Sequence, residues 1–355
     1  MTRLRIAYIL PTLGRGGAEA CVLTLARGLD RSRFEPVVIA LRGGAMRADF
    51  EAAGIEVRCC EMRCRFDIAR LWRLRKWLRE FDLIHSHLFR AGQAVNLFAR
   101  KSVPWCHTIH TFEPRRLGPC RANHIAVAQS VAEFHSRRNR RTSADYAVIS
   151  NGVDVAHFAD ASALRPQWRG QWSVGGGEFV VAWVGRNHPD KGVDLLREVI
   201  AEMARRNRPV TWLVAGEGLG AVVANAPEGA KVLAPGFVEA SGVLAAADAV
   251  LLTSQIEGFP LVMCEAMAAG RAVIAPAVGG ISEIVTNETT GLLPERTSAA
   301  LADALERLIG DAPLRNRLEE SAQTVAIERL NVDTMISEHQ NQYDLMTATG
   351  ESHAD

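Results

Sequence analysis

The sequence predicts an α/β protein of two domains, each a parallel sheet covered by helices on both faces. Short β-branched runs alternate with amphipathic segments through both halves of the chain, the βαβ rhythm of a parallel sheet. Glycine-rich turns follow several runs directly, as at Gly14-Arg15-Gly16-Gly17 and Gly185-Arg186, and a stretch without hydrophobic period separates the two series. In chain order the predicted strands of the first half are Leu4 to Leu10, Pro36 to Leu41, Ile55 to Cys60, Leu83 to His87, Val103 to His110, His124 to Ala128 and Tyr146 to Ile149. The second half continues with Phe179 to Val184, Val210 to Ala215, Lys231 to Ala234, Ala249 to Leu252 and Ala272 to Ala275. Between them Asn151 to Gly177, with Pro166, a Trp168-Arg169-Gly170 turn and Gly175-Gly176-Gly177, reads as the linker. After about Ala326 no further strand is expected, and His339 to Met346 reads as helix. Ligands of such sheets bind beyond the carboxyl ends of the strands, so function is sought in the turns that follow them.

A chain of 355 residues with 48% hydrophobic composition can bury two cores. The apolar run Ile6 to Leu10 is a strand's length and is stopped by Pro11, which predicts neither a signal peptide nor a membrane span; a cytoplasmic protein is expected. The 7 cysteines are scattered, and neither Cys59-Cys60 nor Cys64 has histidines at zinc spacing, so reduced, mostly buried thiols follow. A net charge of +1 hides a separation: Met1 to Ser150 holds 26 Lys and Arg against 13 Asp and Glu, and the remainder 15 against 27. The basic half suits a phospholipid surface, a lipid-diphosphate acceptor or nucleic acid, or is simply a solvated basic surface. Nucleic acid is disfavoured, because it would need aromatics interleaved with the cations along a groove, and Tyr is nearly absent from this half.

The chemically richest stretch is Glu257-Gly258-Phe259-Pro260-Leu261-Val262-Met263-Cys264-Glu265, set beside Gly185-Arg186 and Lys191-Gly192. A strand ending near Thr253-Ser254 delivers a loop containing Gly258, and Pro260 is expected at the first helical position, where its missing N–H costs nothing. The free N–H groups and dipole of that helix favour a diphosphate, and Arg186 and Lys191 supply the full positive charges. A carboxylate beside a diphosphate needs donors to accept from, and hydroxyl groups are such donors. Glu257 in the loop can reach a hexose hydroxyl, and Glu265, more than one turn into the helix, can hold two ribose hydroxyls. No Asp-x-Asp motif stands in a metal-binding context, since Asp154, Asp190 and Asp194 are isolated; no metal is expected.

This Glu-x7-Glu arrangement, followed by Ala266-Met267-Ala268-Ala269-Gly270, resembles glycosyltransferase family 4. Val184-Gly185-Arg186, Ala215-Gly216-Glu217-Gly218, Pro235-Gly236-Phe237-Val238 and Val278-Gly279-Gly280-Ile281-Ser282-Glu283 follow in the family's order. So do Gly16-Gly17-Ala18-Glu19, Ile84-His85-Ser86-His87, His107-Thr108-Ile109-His110 and Ser150-Asn151-Gly152-Val153-Asp154 in the first half. The resemblance implies the GT-B fold, two Rossmann-like domains facing each other across a cleft. Residues 1–153 would bind the acceptor and 154–330 the donor, with a helix at about 331–355 packing back on the first domain. It implies a metal-independent, retaining enzyme that moves a hexose-type sugar from a UDP- or GDP-sugar to a hydroxyl of a glycan or lipid-linked saccharide. The setting it implies is cell-surface polysaccharide, lipopolysaccharide or glycolipid synthesis, with a peripheral place on the inner face of the plasma membrane. Catalytic roles would fall to His110, Glu257, Arg186 and Lys191. Donor contacts would come from Gly16, Gly17, Phe237, Val238, Gly258, Phe259, Pro260, Leu261 and Glu265 as well. Asn187 and His188 depart from the family's pattern, which leaves the local shape around the base open.

Some residues read two ways. Gly16 and Gly17 serve a tight turn or line a loop near donor phosphates or acceptor, and Phe237 packs in the core or against the base. His85 and His87 alternate on one strand, but no third metal ligand is spaced for them, and with His107 they take structural or acceptor-side roles. Arg65 to Glu80 holds six Lys and Arg, with Leu71, Leu74, Leu78 and Phe81 on one helical face and Trp72 among Arg75, Lys76 and Arg79 on the other. That is a face for anionic lipid or an ordinary surface helix. A sugar-nucleotide epimerase of the same architecture and a non-catalytic sugar-nucleotide-binding protein are the competing functions.

Overall fold

The computed structural model describes residues 3–64, 67–98, 103–115 and 122–351. The chain divides into two compact units, one of Met1–Gly152 with Val332–Asp355 and one of Val153–Asn331.

The first unit is a seven-stranded parallel sheet of β1 (Leu4–Leu10), β2 (Phe34–Ala40), β3 (Glu56–Cys59), β4 (Leu83–His87), β5 (Trp105–Ile109), β6 (Asn123–Ala126) and β7 (Tyr146–Val148), in the order β3-β2-β1-β4-β5-β6-β7. β1 shows why these runs are almost continuously apolar: both faces of the sheet are covered. Ile6, Tyr8 and Leu10 enter one core with Met335, Ile336 and Tyr343 of the last helix, Val332–Glu351, while Ala7 and Ile9 enter another with Leu71, Leu74 and Leu78. Pro36 is tolerated within β2 because pairing with β3 begins only at Val37.

The second unit is a five-stranded parallel sheet of β8 (Val180–Val184), β9 (Thr211–Ala215), β10 (Lys231–Gly236), β11 (Ala249–Leu251) and β12 (Ala272–Ile274), in the order β10-β9-β8-β11-β12. Each sheet reverses its strand order once, between β1 and β4 and between β8 and β11. These are the switch points where open α/β sheets bind ligands.

The aperiodic stretch differs from its expectation as a linker. It forms helices Val155–Ala159 and Ala161–Gln171, both in the second unit, and the Trp168-Arg169-Gly170 segment is helical rather than a turn. Its anchor is an arginine instead of an apolar stripe. Arg169 is 4% exposed, donating to the carbonyls of Ala246, Gly175, Gly176 and Glu178 and pairing with Asp248 Oδ2 at 2.7 Å. Arg165 holds the other Asp248 oxygen, and Val180 N–H donates to Oδ2. Arg169→Met would leave the Ala246, Gly176 and Glu178 carbonyls without this donor and take one of the two arginines from Asp248, and is expected to destabilise this unit by about 3–5 kcal/mol in denaturant unfolding. A loss below about 1 kcal/mol would contradict this anchoring role.

Candidate active site

At the switch point of the second sheet, the turn after β8 carries Gly185 and Arg186, and a 3-10 turn, Pro189–Lys191, leads to Gly192. Gly192 has φ +67, and a Cβ there would lie 2.1 Å from Thr253 O in the segment after β11. Gly216, at φ +144 after β9, sits equally close on Gly185 O, at 1.9 Å from an added Cβ. Only glycine lets these loops touch.

That approach puts Lys191 Nζ 2.7 Å from Glu257 Oε1, which also accepts from Ser254 Oγ at 2.6 Å. The frame around the pair is hydrogen-bonded throughout. Trp183 Nε1 donates to Thr253 Oγ1, Thr253 Oγ1 donates to Lys191 O, and Arg296 Nε donates to the Thr253 and Ser254 carbonyls. Gly280 N–H donates to Glu257 O at 3.0 Å, so the glycine turn after Val278 rests on the same loop. Ser254 and Arg296 were not singled out by sequence. Ser254 lies three residues before Glu257, a weak local signal, whereas Arg296 gives none.

Glu257, Gly258, Phe259 and Pro260 are buried, and the helix they introduce is Leu261–Ala268. Pro260 stands just outside it, correcting its expected place at the first helical position: its extended ψ of 117 makes it the N-cap. No side chain caps this end; Met263 N–H turns back to Pro260 O at 3.2 Å, and the N–H groups of Leu261 and Val262 have no partner among the described residues. Glu265 is half-buried in the second turn. Burial pushes its carboxyl up to about 7, and among the described residues no donor reaches it. Arg186 is exposed and, like Glu265, has no partner among the described residues. Phe237 and Val238 follow β10 at the same sheet edge; Phe237 is 51% exposed, which removes plain core packing as its role.

In the first unit, Gly16 caps the helix Gly17–Gly28 after β1, and Thr12 Oγ1 donates to buried Glu19 at 3.1 Å. His110 directly follows β5, and its Nε2 lies 3.0 Å from His87 Nδ1 at the end of β4. Beside them His85 bonds Tyr343 OH and Thr108 Oγ1, each at 2.7 Å, and Tyr343 bonds Tyr8 at 2.9 Å. Burial pushes His107 and His110 down to about 3, His339 to about 4, and His85 and His87 well below the ordinary histidine range. Among the described residues no three His, Cys, Asp or Glu side chains are grouped to hold a metal ion. Nor is any helix among the described residues long and apolar enough to cross a membrane. Of the cysteines, Cys21, Cys60, Cys106 and Cys264 are buried free thiols, Cys59 is half-buried and Cys64 exposed; Cys120 lies outside the described residues.

Two family descriptions match consecutive parts of the chain: Glycosyltransferase Family 4 over residues 15–157 and Glycosyl transferases group 1 over residues 178–311. A D-inositol 3-phosphate glycosyltransferase of Arthrobacter sp. (strain FB24) is 32% identical over 303 residues, covering 72% of this chain and 68% of that protein. The chain belongs to glycosyltransferase family 4. The alpha-D-kanosaminyltransferase of Streptomyces kanamyceticus, 31% identical over 250 residues, spans 67% of this family 4 chain, which covers 63% of that relative. A second inositol phosphate glycosyltransferase, from Nocardia farcinica, is 31% identical, and the chain spans 60% of its length. Among solved structures, Anabaena HepE in complex with UDP-glucose matches with TM-score 0.84 at 24% identity, over 96% of this chain and 100% of that one. Sucrose-phosphate synthase from Thermosynechococcus elongatus matches with TM-score 0.81 at 20% identity, over 98% and 100%. These likenesses show the fold: this family 4 member is a GT-B protein of two parallel-sheet α/β domains.

Proposed function

We propose that this family 4 chain is a retaining hexosyltransferase that moves a sugar from a UDP- or GDP-sugar to a hydroxyl of a glycan or lipid-linked saccharide, in surface-glycan or glycolipid synthesis. The observation that carries the reading is the switch point of the second sheet. There an unpartnered, half-buried carboxylate, Glu265, lies on the helix that follows the Lys191–Glu257 ion pair. The second unit binds the donor. Glu265 accepts from the ribose hydroxyls, Phe237 and Val238 meet the base, and Lys191 and Arg186 neutralise the diphosphate. Glu257 holds a sugar hydroxyl, with Gly258, Phe259, Pro260 and Leu261 shaping the loop. The first unit binds the acceptor, Gly16 and Gly17 bring backbone N–H groups to the donor phosphates, and His110 hydrogen-bonds the transferred hexose. Lys191 then exchanges a carboxylate partner for a phosphate one, so ligand binding and the pairing of Glu257 are coupled.

The leaving diphosphate is stabilised by fixed cations, and its oxygen helps deprotonate the acceptor on the same face. Turnover is therefore expected to survive EDTA; its abolition, with recovery on adding Mg²⁺, would contradict this.

The basic helix Ile68–Trp77 supports a membrane-facing acceptor. Trp72 is 56% exposed with the Arg75 guanidinium 4.7 Å from its ring centre, while Leu71 and Leu74 are buried beneath; Arg65 lies outside the described residues. Reversing the charge of Arg75, Lys76 and Arg79 is expected to abolish co-sedimentation with anionic liposomes. Unchanged co-sedimentation would remove the membrane from the proposal.

The function itself is tested by incubating the chain with UDP- and GDP-sugars and saccharide acceptors. Release of nucleoside diphosphate with a product of retained anomeric configuration is expected. A changed nucleotide sugar without nucleotide release would favour the epimerase.

A further inference from the structure

His87 Nδ1 and His110 Nε2 are 3.0 Å apart, and the two rings lie end to end, with centroids 5.3 Å apart and an interplanar angle of 29°. A hydrogen bond between two neutral imidazoles requires one ring to carry its proton on the shared nitrogen and the other to leave it bare. His87 Nε2 decides which. That atom is buried and meets no hydrogen-bond partner among the described residues, its ring lying 4.0 Å from His85 and 6.0 Å from Tyr8 between centroids. If His110 donated, His87 would carry its proton on Nε2 and strand a buried N–H. If His87 donates from Nδ1, only a lone pair is left at Nε2, which is the cheaper orphan. We infer that His87 donates to His110 and locks it as the Nδ1–H tautomer, so that His110 presents an N–H rather than a lone pair to an oxygen ligand.

His110 keeps 8% of its surface exposed, and its own Nδ1 makes no hydrogen bond among the described residues. Burial keeps both rings neutral, so the tautomer and not the charge sets what His110 offers. His87 is then a positioning residue, acting on ligand through His110. It fixes that ring's orientation and its proton through the one hydrogen bond, as an outer partner orients a metal-bound histidine. The ligand class that fits is a hydroxyl oriented to accept, or an anionic oxygen. Only the consequence for turnover rests on the function proposed above; the tautomer stands on the first unit alone.

The test uses the full chain labelled with 15N-histidine, with long-range proton–nitrogen correlations at neutral pH and His110→Gln for assignment. The expected spectrum shows His110 protonated at Nδ1 and bare at Nε2, and His87 protonated at Nδ1; a protonated His110 Nε2 overturns the inference. His87→Asn places an amide N–H where Nδ1 stood, and His87→Leu places none. The Asn variant is expected to keep the His110 tautomer and turnover within about threefold. The Leu variant should lose the single tautomer and lower kcat roughly tenfold to a hundredfold with donor KM little changed. Equal losses in both variants would overturn the positioning role. A wild-type chain with the inferred tautomer and no transfer activity would count against the proposed function while upholding the tautomer.

Discussion

Replacing Glu265 with alanine is expected to weaken nucleotide-sugar binding about a hundredfold or more. Two hydroxyl donors on an ionised carboxylate contribute roughly 1.5 kcal/mol or more each, and every 1.36 kcal/mol is a factor of ten. The geometry makes this side chain sensitive. Glu265 sits in the second turn of Leu261–Ala268, half-buried, with no donor among the described residues to pay for its burial. Its carboxyl, raised by burial to about 7, takes up a proton in the ligand-free chain that the unfolded chain would have lost near the ordinary carboxylate range. The sign follows. As pH rises from about 4.5 through 7 this group subtracts stability from the ligand-free second unit, because the folded state binds the extra proton. A ligand that donates to the ionised form pulls the proton off, so affinity should climb with pH over the same window and level above it. Titrations from pH 5 to 8 in buffers of different ionisation enthalpy would show proton release for the wild type and none for Glu265→Gln. Affinity in Glu265→Ala equal to wild type would place the nucleotide elsewhere.

The first unit is expected to be acid-labile, losing stability steadily as pH falls below about 6.5, the ordinary histidine value. His85, His87, His107, His110, His124 and His339 are all buried, and burial lowers the pKa of each. In the unfolded chain each titrates near 6.5, so between there and about 3 to 4 the unfolded state binds more protons and is favoured. The stabilising effect is complete above 6.5 and is lost as pH falls toward the folded values. Glu338, whose carboxyl burial raises, acts in the opposite sense but is a single group. Thermal or urea unfolding followed at pH 7.5, 6, 5 and 4.5 should give a slope corresponding to uptake of several protons. A midpoint unchanged between pH 7 and 5 would mean that these rings are not held neutral.

Much of the architecture was legible because a parallel sheet covered on both faces writes itself as apolar runs of strand length. All the predicted strands correspond to β1–β12; β1 and β4 match at both ends, and the others are displaced by at most two residues, as at β2, which begins at Phe34 instead of Pro36. The stretch from Asn151 to Gly177 was misread for a physical reason. A helix held by Arg169 reaching backbone carbonyls and Asp248 leaves no hydrophobic period to detect, and Pro166 and the glycines look like a break. The candidate site was legible where its residues are contiguous, from Glu257 to Glu265, and in the glycine turns that let strand ends approach. Its pairings were not. Lys191 and Glu257 are 66 residues apart and His87 and His110 are 23 apart, and nothing local in the sequence says which side chains a parallel sheet will bring together at its carboxyl edge. The exposure of Phe237 likewise depends on the turn at Gly236, with φ +80, rather than on its own chemistry.

Calorimetric titration with a panel of UDP- and GDP-sugars, in EDTA, compared across wild type, Glu265→Ala and Lys191→Ala, tests most directly whether the switch point of the second sheet holds the donor. Tight binding of one nucleotide sugar by the wild type, lost in both variants, is the expected result. Binding that both variants retain, or no binding by the wild type to any member of the panel, would contradict it.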